Sequence, residues 1–493
     1  DIGGISLDNY TQSQPLSLED FFIISLQLSQ ILEDLDLNKI IHKDIKLQNI
    51  LIEPIAKTVK LIDFSISSLL PKQSKESKSP NGLEGTLAYM SPEQTGRMNR
   101  AIDYRTDFYS LGVTFYELLT GQLPFQSIDP MEVIHSHIAK RPIPPIEQRP
   151  TLPTMVSDLI LKLMEKMAED RYQSALGLRY DLEICARQWQ EQGGILPFEL
   201  GQNDLCDRFV IPEKLYGREI EIASLLAAFD RVASPSENRV SNPAESSLNE
   251  EQGRSSEFML ISGFSGMGKT VIVNEIHKPV VQKRGYFIKG KFEEFNRNIP
   301  FFAWVQSFQE LVRQILTESA NSVLQWKDKI LNALGHNARI MIDVIPELEL
   351  LVGEQPPVPD LEGSAAQNRF HSLFQSFIQV FATQEHPLVI FLDDLQWADF
   401  ASLQLIQLLM SNADTRHLLL IGSYRENEVH SEHSLMLILE KIHQASAIVN
   451  YMVLEPLNFT SLNCLIADTL NCSSEQANSL TELVYHKTQG NPF

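Results

Sequence analysis

The chain has 493 residues, a length that suits about three domains or two large ones, and is 43% hydrophobic and 21% charged, enough apolar material for packed cores, which excludes wholesale disorder. Its 41 Lys and Arg against 63 Asp and Glu give a formal charge of −22. So acidic a chain repels phosphate backbones and anionic lipid, and no apolar run approaches the roughly 18 residues that cross a bilayer, so neither a nucleic-acid partner nor membrane insertion is expected.

In chain order, Ser17-Leu18-Glu19-Asp20 has the form of a helix start, a Ser cap followed by acids. That helix is expected to run to about Leu37. Short strand-like runs follow at Ile50–Ile52 and Val59–Ile62, and a polar, Ser- and Lys-rich loop at Ser65–Glu84. Apolar spacing predicts helices over Tyr104–Leu119 and Met155–Met167. Residues 191–215 suit a linker, and 233–257, with almost no apolar content, a disordered insertion. From Phe258 onward the pattern becomes strand, Gly loop, helix, with later apolar strands at Leu388–Leu392 and Leu418–Ile421. That alternation predicts a parallel α/β sheet. No internal repeat is seen. Cys185, Cys206, Cys464 and Cys472 form no CxxC pair and read as ordinary buried thiols, which suggests a reducing, cytoplasmic location. The first residue is Asp and the last is Phe493, within an apolar motif, so the chain is expected to be a piece of something longer.

Ile41-His42-Lys43-Asp44-Ile45-Lys46-Leu47-Gln48-Asn49 resembles the catalytic loop of protein kinases. Phosphoryl transfer needs an Asp to take the substrate hydroxyl's proton and an Asn further on to hold a metal ion against the phosphates, which the resemblance puts at Asp44 and Asn49. Lys46 lies between them as a cation for the moving phosphoryl group. Leu61-Ile62-Asp63-Phe64-Ser65 resembles the magnesium-binding segment, with Asp63 on Mg²⁺ and Ser65 where kinases carry Gly. Gly85–Glu93 resembles the end of an activation segment. Asp107 matches the acid that braces the catalytic loop, and Arg171 the partner of Glu93. Lys46 and Thr86 resemble the serine/threonine class. Lys43 departs from the usual Arg, offering a point charge where Arg grips phosphate bidentately. That puts regulation by loop phosphorylation in doubt, though Ser74, Ser77 and Ser79 are open to modification. No Gly-rich phosphate lid or strand Lys precedes Asp44. Residues 1–190 therefore resemble the mostly helical C-lobe of a kinase, and the chain alone is not expected to transfer phosphate.

Gly263-Phe264-Ser265-Gly266-Met267-Gly268-Lys269-Thr270 fits GxxxxGK[ST] after a strand, with Thr270–Ile276 expected to continue as a helix. In such a loop the backbone amides cradle phosphates, Lys269 reaches the β and γ phosphates, and Thr270 ligates Mg²⁺. Val389–Asp394 is an apolar strand ending in two acids. Asp393 is assigned to the metal's water shell and Asp394 to the attacking water. Leu418–Arg425 is a further strand ending at an Arg. No guanine-reading signature follows the P-loop, so ATP is favoured.

The region 216–493 resembles signal-transduction ATPases of the STAND class, related to AAA+ proteins. The resemblance implies that Arg425 senses the γ-phosphate, that Leu215–Glu219 opens the module near the adenine, and that Gly490-Asn491-Pro492-Phe493 closes it with Pro492 on the base. Both halves together resemble large hybrid signalling proteins, especially cyanobacterial ones, through Gly85–Arg100 (GTLAYMSPEQTGRMNR) and Lys291–Pro300 (KFEEFNRNIP). In those a serine/threonine kinase precedes a STAND/AAA-like ATPase, then sensor (GAF) and histidine-kinase domains. The last two are absent from these residues. The resemblance implies ATP and Mg²⁺, a protein substrate, downstream sensor and histidine-kinase domains, and an ATP-dependent oligomer. The alternative is a non-catalytic scaffold with an inert kinase lobe whose assembly nucleotide tunes. A nucleic-acid motor is disfavoured by the charge and by the lack of a basic stripe.

Overall fold

A computed structural model describes residues 4–12, 16–69, 85–98, 100–204, 214–233, 256–297, 299–318, 320–359, 361, 363–412, 414–445, 447–470 and 472–492. Most of the expected insertion at 233–257, together with Ser74, Ser77, Ser79, Cys206 and Phe493, lies outside the described residues. The chain divides into two units, Asp1–Lys214 with Leu465–Ala477, and Leu215–Cys464 with Asn478–Phe493.

The first unit opens with β1 (Ile5–Ser6), α1 (Leu7–Thr11) and α2 (Leu18–Leu37). The Ser17 hydroxyl caps α2 by accepting from the Asp20 amide at 3.1 Å, as the sequence pattern requires. The face of α2 carrying Phe21, Ile24, Leu28 and Leu32 is buried. Next come β2 (Ile40–Ile41), β3 (Ile50–Ile52), β4 (Val59–Leu61) and β5 (Ser68–Leu69). Strands β1, β3 and β4 form an antiparallel sheet in that order, and β2 pairs with β5. Strand β5 corrects the expectation of a continuous loop from Ser65, because Ile40 and Ile41 recruit Ser68 and Leu69 into a ladder.

Helices α3 (Arg105–Thr120), α4 (Pro130–Ala139), α5 (Pro145–Gln148), α6 (Thr154–Leu163) and α7 (Ala175–Gln192) complete this unit. Helix α3 is buried on nearly every side and ends at Gly121 in the left-handed region. At Gly112 it touches α6 so closely that an added Cβ would lie 2.8 Å from Leu163 Cβ. Helix α6 stops at Leu163 instead of running to Met167. Arg171 donates hydrogen bonds to the carbonyls of Glu165 (2.8 Å) and Lys166 (3.1 Å), turning that backbone away from helical pairing. Residues 195–204, within the expected linker, pack back on this unit. Ile195, Phe198 and Leu200 cover its core, and the Asp204 carboxylate accepts from the amides of Gln173 and Ser174.

The second unit is built on β6 (Ser256–Ser262), β7 (Tyr286–Lys291), β8 (Leu388–Asp393), β9 (Leu418–Tyr424) and β10 (Val449–Val453), all parallel in the order β10-β6-β9-β8-β7. Its central strands are buried on both faces, which explains their unbroken apolar runs. Phe258 and Leu260 point into one core, Met259 and Ile261 into another on the opposite face. Helices α8 (Glu219–Ala233), α9 (Lys269–Asn274) and α10 (His277–Gln282) supply the smaller core. The helix expected after the P-loop breaks at Glu275–Ile276. Pro279 cannot donate to the Glu275 carbonyl, and its ring crowds that group.

Between β7 and β8 the chain inserts α11 (Phe302–Leu316), α12 (Ala320–Leu334), α13 (Ala338–Val344), α14 (Leu348–Val352) and α15 (Gly363–Phe381), which the sequence reading did not identify. They pack on an aromatic core that includes Trp304, Phe308, Phe374 and Phe377. Helices α16 (Phe400–Ser411), α17 (Ser434–Gln444), α18 (Phe459–Leu470) and α19 (Ser474–Thr488) follow. No helix among the described residues is long and apolar enough to cross a membrane. Of the described cysteines Cys185 is buried, whereas Cys464 and Cys472 are half-buried, which corrects the expectation for those two.

Candidate nucleotide sites

In the first unit the loop between β2 and β3 carries the catalytic-loop residues. Lys43 there takes φ 69°, and its amide donates to Asp107 Oδ1 at 2.8 Å while that of His42 donates to Oδ2 at 2.7 Å. Asp107, from the first turn of α3, thus braces the loop as expected. Burial pushes its carboxyl up to about 7, even with the two amide donors pulling the other way.

Asp44 is ringed by donors. Its Oδ2 accepts from Lys46 Nζ at 2.6 Å and from Asn49 Nδ2 at 3.0 Å, and its Oδ1 from the Thr86 amide at 3.0 Å. Lys46 Nζ also donates to Thr86 Oγ1 at 2.6 Å. Burial raises the Asp44 carboxyl, but the Lys46 and Thr86 hydrogen bonds outweigh it and hold the group below the ordinary carboxylate range. Asn49 Nδ2 donates to Asp44 as well through the Asp44 carbonyl (2.9 Å), which leaves the amide oxygen as its acceptor for a metal. Asp63 is exposed at φ 65°. The Ile62 amide donates to the Asn49 carbonyl at 2.9 Å, so Asp63 follows directly on the ladder that fixes Asn49. A neutral amide oxygen and an exposed carboxylate form a hard-oxygen set of the kind Mg²⁺ takes alongside phosphate and water. Glu93 and Arg171, which the kinase resemblance pairs, form a buried bidentate ion pair.

In the second unit the P-loop links β6 to α9. Gly263 (φ 154°), Gly266 (φ 84°) and Gly268 (φ 86°) all take backbone angles that side chains disfavour. Lys269 Nζ folds back onto the carbonyls of Gly263 and Phe264, at 2.9 Å each. Burial lowers the proton affinity of this ammonium, against the pull of Asp393 and Asp394. A buried cation whose hydrogen-bond acceptors are neutral carbonyls fits an anion site. Thr270 Oγ1 donates to Asp393 Oδ2 at 3.1 Å, which joins the expected metal pair from α9 and β8. The two oxygens suit Mg²⁺, which fills most of its shell with water and phosphate.

Asp394 turns the chain at φ 58° and is buried. Gln396 Nε2 donates to its Oδ1 at 2.8 Å, Arg425 Nε lies 3.4 Å from Oδ1, and Lys291 Nζ 3.4 Å from Oδ2. Arg425 also pairs with Glu428 (2.8 Å) and lies over the Trp397 ring. The sequence reading missed Gln396, Lys291 and Ser423. The Ser423 hydroxyl donates to Asp393 Oδ1 and accepts from the Asp394 amide at 3.3 Å. A small polar residue inside the apolar run 418–424 was the signal for Ser423; Lys291 and Gln396 carry none without strand pairing.

At the edge of this site Asn491 Nδ2 donates to the Ser265 carbonyl at 3.0 Å, bringing the segment 490–492 to the P-loop, with Pro492 exposed. Arg218 is buried, its guanidinium on the Glu455 carbonyl at 2.5 Å.

Two families match the chain: the protein kinase domain over residues 3–183 and the AAA ATPase domain over residues 247–421. Arg425 and Pro492 lie beyond the second match. The chain is 33% identical over 491 residues to the hybrid signal transduction histidine kinase G of Dictyostelium discoideum, covering 83% of this chain and 14% of that protein. It is 24% identical to the peroxide stress-activated histidine kinase mak3 of Schizosaccharomyces pombe, over 86% of this chain and 20% of that protein. It is 32% identical to the serine/threonine-protein kinase PknB of Mycobacterium tuberculosis, over 37% of this chain and 29% of that protein. The chain thus spans about a seventh to a fifth of the hybrid kinases it matches. It carries a protein kinase domain followed by an AAA ATPase domain, with hybrid histidine kinases and serine/threonine kinases among its relatives.

Proposed function

We propose that this chain is the nucleotide-handling part of a longer signalling protein. Its first unit serves as the catalytic lobe of a serine/threonine kinase, and its second as a STAND-type ATP switch. The observation that carries the reading is the pair of polar assemblies at Asp44 and at Asp393. Each brings residues far apart in sequence into hydrogen-bond contact with a potential metal or phosphate ligand.

At the kinase site Asp44 accepts the substrate hydroxyl's proton, and Lys46, already bonded to Asp44 Oδ2, stands ready to neutralise the transferred group. Asn49 and Asp63 hold Mg²⁺, which when bound neutralises the phosphates. Thr86, held by Asp44 and Lys46, borders the place for a Ser or Thr acceptor. A glycine-rich lid and strand Lys would have to come from outside these 493 residues, so phosphotransfer belongs to the longer protein.

At the ATPase site the P-loop and Lys269 hold the phosphates, Thr270 and Asp393 the Mg²⁺, and Asp394 orients the attacking water. Arg425 distinguishes ATP from ADP. The two nucleotide states bias output domains, a histidine kinase of the kind the relatives' names carry among them, and favour an ATP-dependent oligomer. The test is phosphorylation of a generic protein substrate by a longer protein containing this chain, with and without Asp44→Ala. Loss in the variant supports the kinase reading; equal phosphorylation, or none in either, favours the scaffold.

A further inference from the structure

Lys43 takes a left-handed backbone angle, φ 69°, at a residue with a full side chain. Such a conformation persists only where its surroundings hold it. Asp107 holds the Lys43 amide. The peptide unit that follows, between Lys43 and Asp44, is held on both sides. Its amide, that of Asp44, donates to His42 Nδ1 at 3.3 Å. Its carbonyl, that of Lys43, accepts from Gln94 Nε2 at 2.8 Å. A peptide unit is planar, so fixing both ends fixes the direction in which the Asp44 side chain leaves the backbone.

Gln94 reaches that carbonyl across 51 residues of sequence, from the turn that follows Pro92. It is 1% exposed. Its Oε1 accepts from the Ser91 amide at 2.9 Å, which orients the side-chain amide with its nitrogen toward Lys43. Gly85 closes over the same bond. An added Cβ there would lie 3.1 Å from the Lys43 oxygen and 3.5 Å from Gln94 Nε2. The next residue, Thr86, carries the amide that donates to Asp44 Oδ1. The stretches 43–44, 85–86 and 91–94 thus meet at one carbonyl, and Gln94 is the side chain that joins them. A buried carbonyl deprived of its donor is costly, so loss of Gln94 favours rotation of the 43–44 peptide unit.

Resting on the kinase reading, we propose that Gln94 is a positioning residue for phosphotransfer. Through the Lys43 carbonyl it fixes the Asp44 carboxylate in the place where that group meets the acceptor hydroxyl. Gln94 itself touches neither nucleotide nor protein substrate, so its loss lowers turnover and leaves the binding of both unchanged. Transfer tolerates little misplacement, a shift of about 1 Å costing up to roughly a hundredfold in rate.

Two variants separate this role from that of merely holding the 91–94 turn. Gln94→Met loses both hydrogen bonds. Gln94→Glu keeps an acceptor for the Ser91 amide but sets a carboxylate oxygen against the Lys43 carbonyl. The test compares both with wild type in phosphorylation of casein by a longer protein containing this chain, with kcat and the KM for ATP and for casein measured separately. Both variants are expected to lose roughly ten- to a hundredfold in kcat, with each KM within about twofold of wild type. In the 493-residue chain, hydrogen exchange is expected to quicken in peptides 41–49 and 85–95 and to stay unchanged in α3 and α6. Wild-type turnover in Gln94→Glu, or a loss confined to KM, overturns the inference while leaving the kinase reading standing. Faster exchange throughout α3 and α6 does the same, because it assigns Gln94 to the stability of the whole unit. Failure of wild type to phosphorylate casein overturns the kinase reading and this inference with it.

Discussion

Arg171 grips Glu93 with both terminal nitrogens, at 2.7 and 2.9 Å, across 78 residues of chain. The Arg171 side chain is fully buried and that of Glu93 5% exposed. Thr106 adds a third bond to Glu93, and the rest of the guanidinium is spent on the carbonyls of Arg105, Glu165 and Lys166. The pair fastens the end of the 85–93 segment to the turn between α6 and α7, and Thr106 and the Arg105 carbonyl tie both to the start of α3.

Glu93→Gln leaves Arg171 buried without its counter-charge, so the first unit loses about 3–5 kcal/mol. Burial opposes the ionised form of Glu93, but Arg171 outweighs it and lowers the carboxyl from 4.5 to about 2. A lowered folded-state value means the stabilisation is present above pH 4.5 and is lost as pH falls toward 2. Acid unfolding of the first unit, followed by hydrogen exchange of peptides from α3, is expected to show that loss in wild type. In Glu93→Gln the acid-dependent component should be missing.

Gly112 sits where α3 meets α6, with room for no side chain beyond hydrogen. Gly112→Val forces the helices apart and costs about 1–3 kcal/mol despite removing a flexible residue. Faster exchange in peptides from α3 and α6, with those of β6 and β9 unchanged, is the expected pattern.

How much of this was legible in the sequence depended on whether local spacing carried the information. The P-loop, the acids ending β8, and the catalytic loop at 42–49 are contiguous, so their residue types and order single them out as candidates. The cap at Ser17 and the helix at 105–120 followed from patterns within a few turns. The end of α6 did not, because it is set by Arg171 reaching back to Glu165 and Lys166. The break after α9 is signalled locally by Pro279, which a reading built on the P-loop motif alone passes over. Helices α11–α15 carry apolar spacing but no motif that marks them out. The partners of Asp394 come from β7 and from the turns after β8 and β9, and only the order β9-β8-β7 brings them together.

Thr270→Ala removes the hydroxyl that meets Asp393. It is expected to weaken Mg²⁺-dependent ATP binding by roughly tenfold or more while leaving metal-free ATP binding nearly unchanged. Titrating the variant with ATP in Mg²⁺ and in chelator separates the two. Equal weakening in both media would place Thr270 on the phosphates and not on the metal.

Ser423→Ala takes away a buried hydroxyl that donates to Asp393 and receives the Asp394 amide. Asp393 loses its orienting partner, and Mg²⁺ affinity of the nucleotide-loaded chain is expected to fall roughly tenfold. Ser423→Thr keeps the hydroxyl and is expected to lose less. Calorimetric Mg²⁺ titration in saturating ATP compares them.

The central claim is that the second unit binds ATP through Lys269. It is tested most directly by counting ATP bound per chain, after stripping co-purified nucleotide, in wild type and Lys269→Ala. The account predicts one site in wild type and none in the variant, with hydrogen exchange across β6 and β9 unchanged. A site that survives in Lys269→Ala, or its absence from wild type, would contradict it.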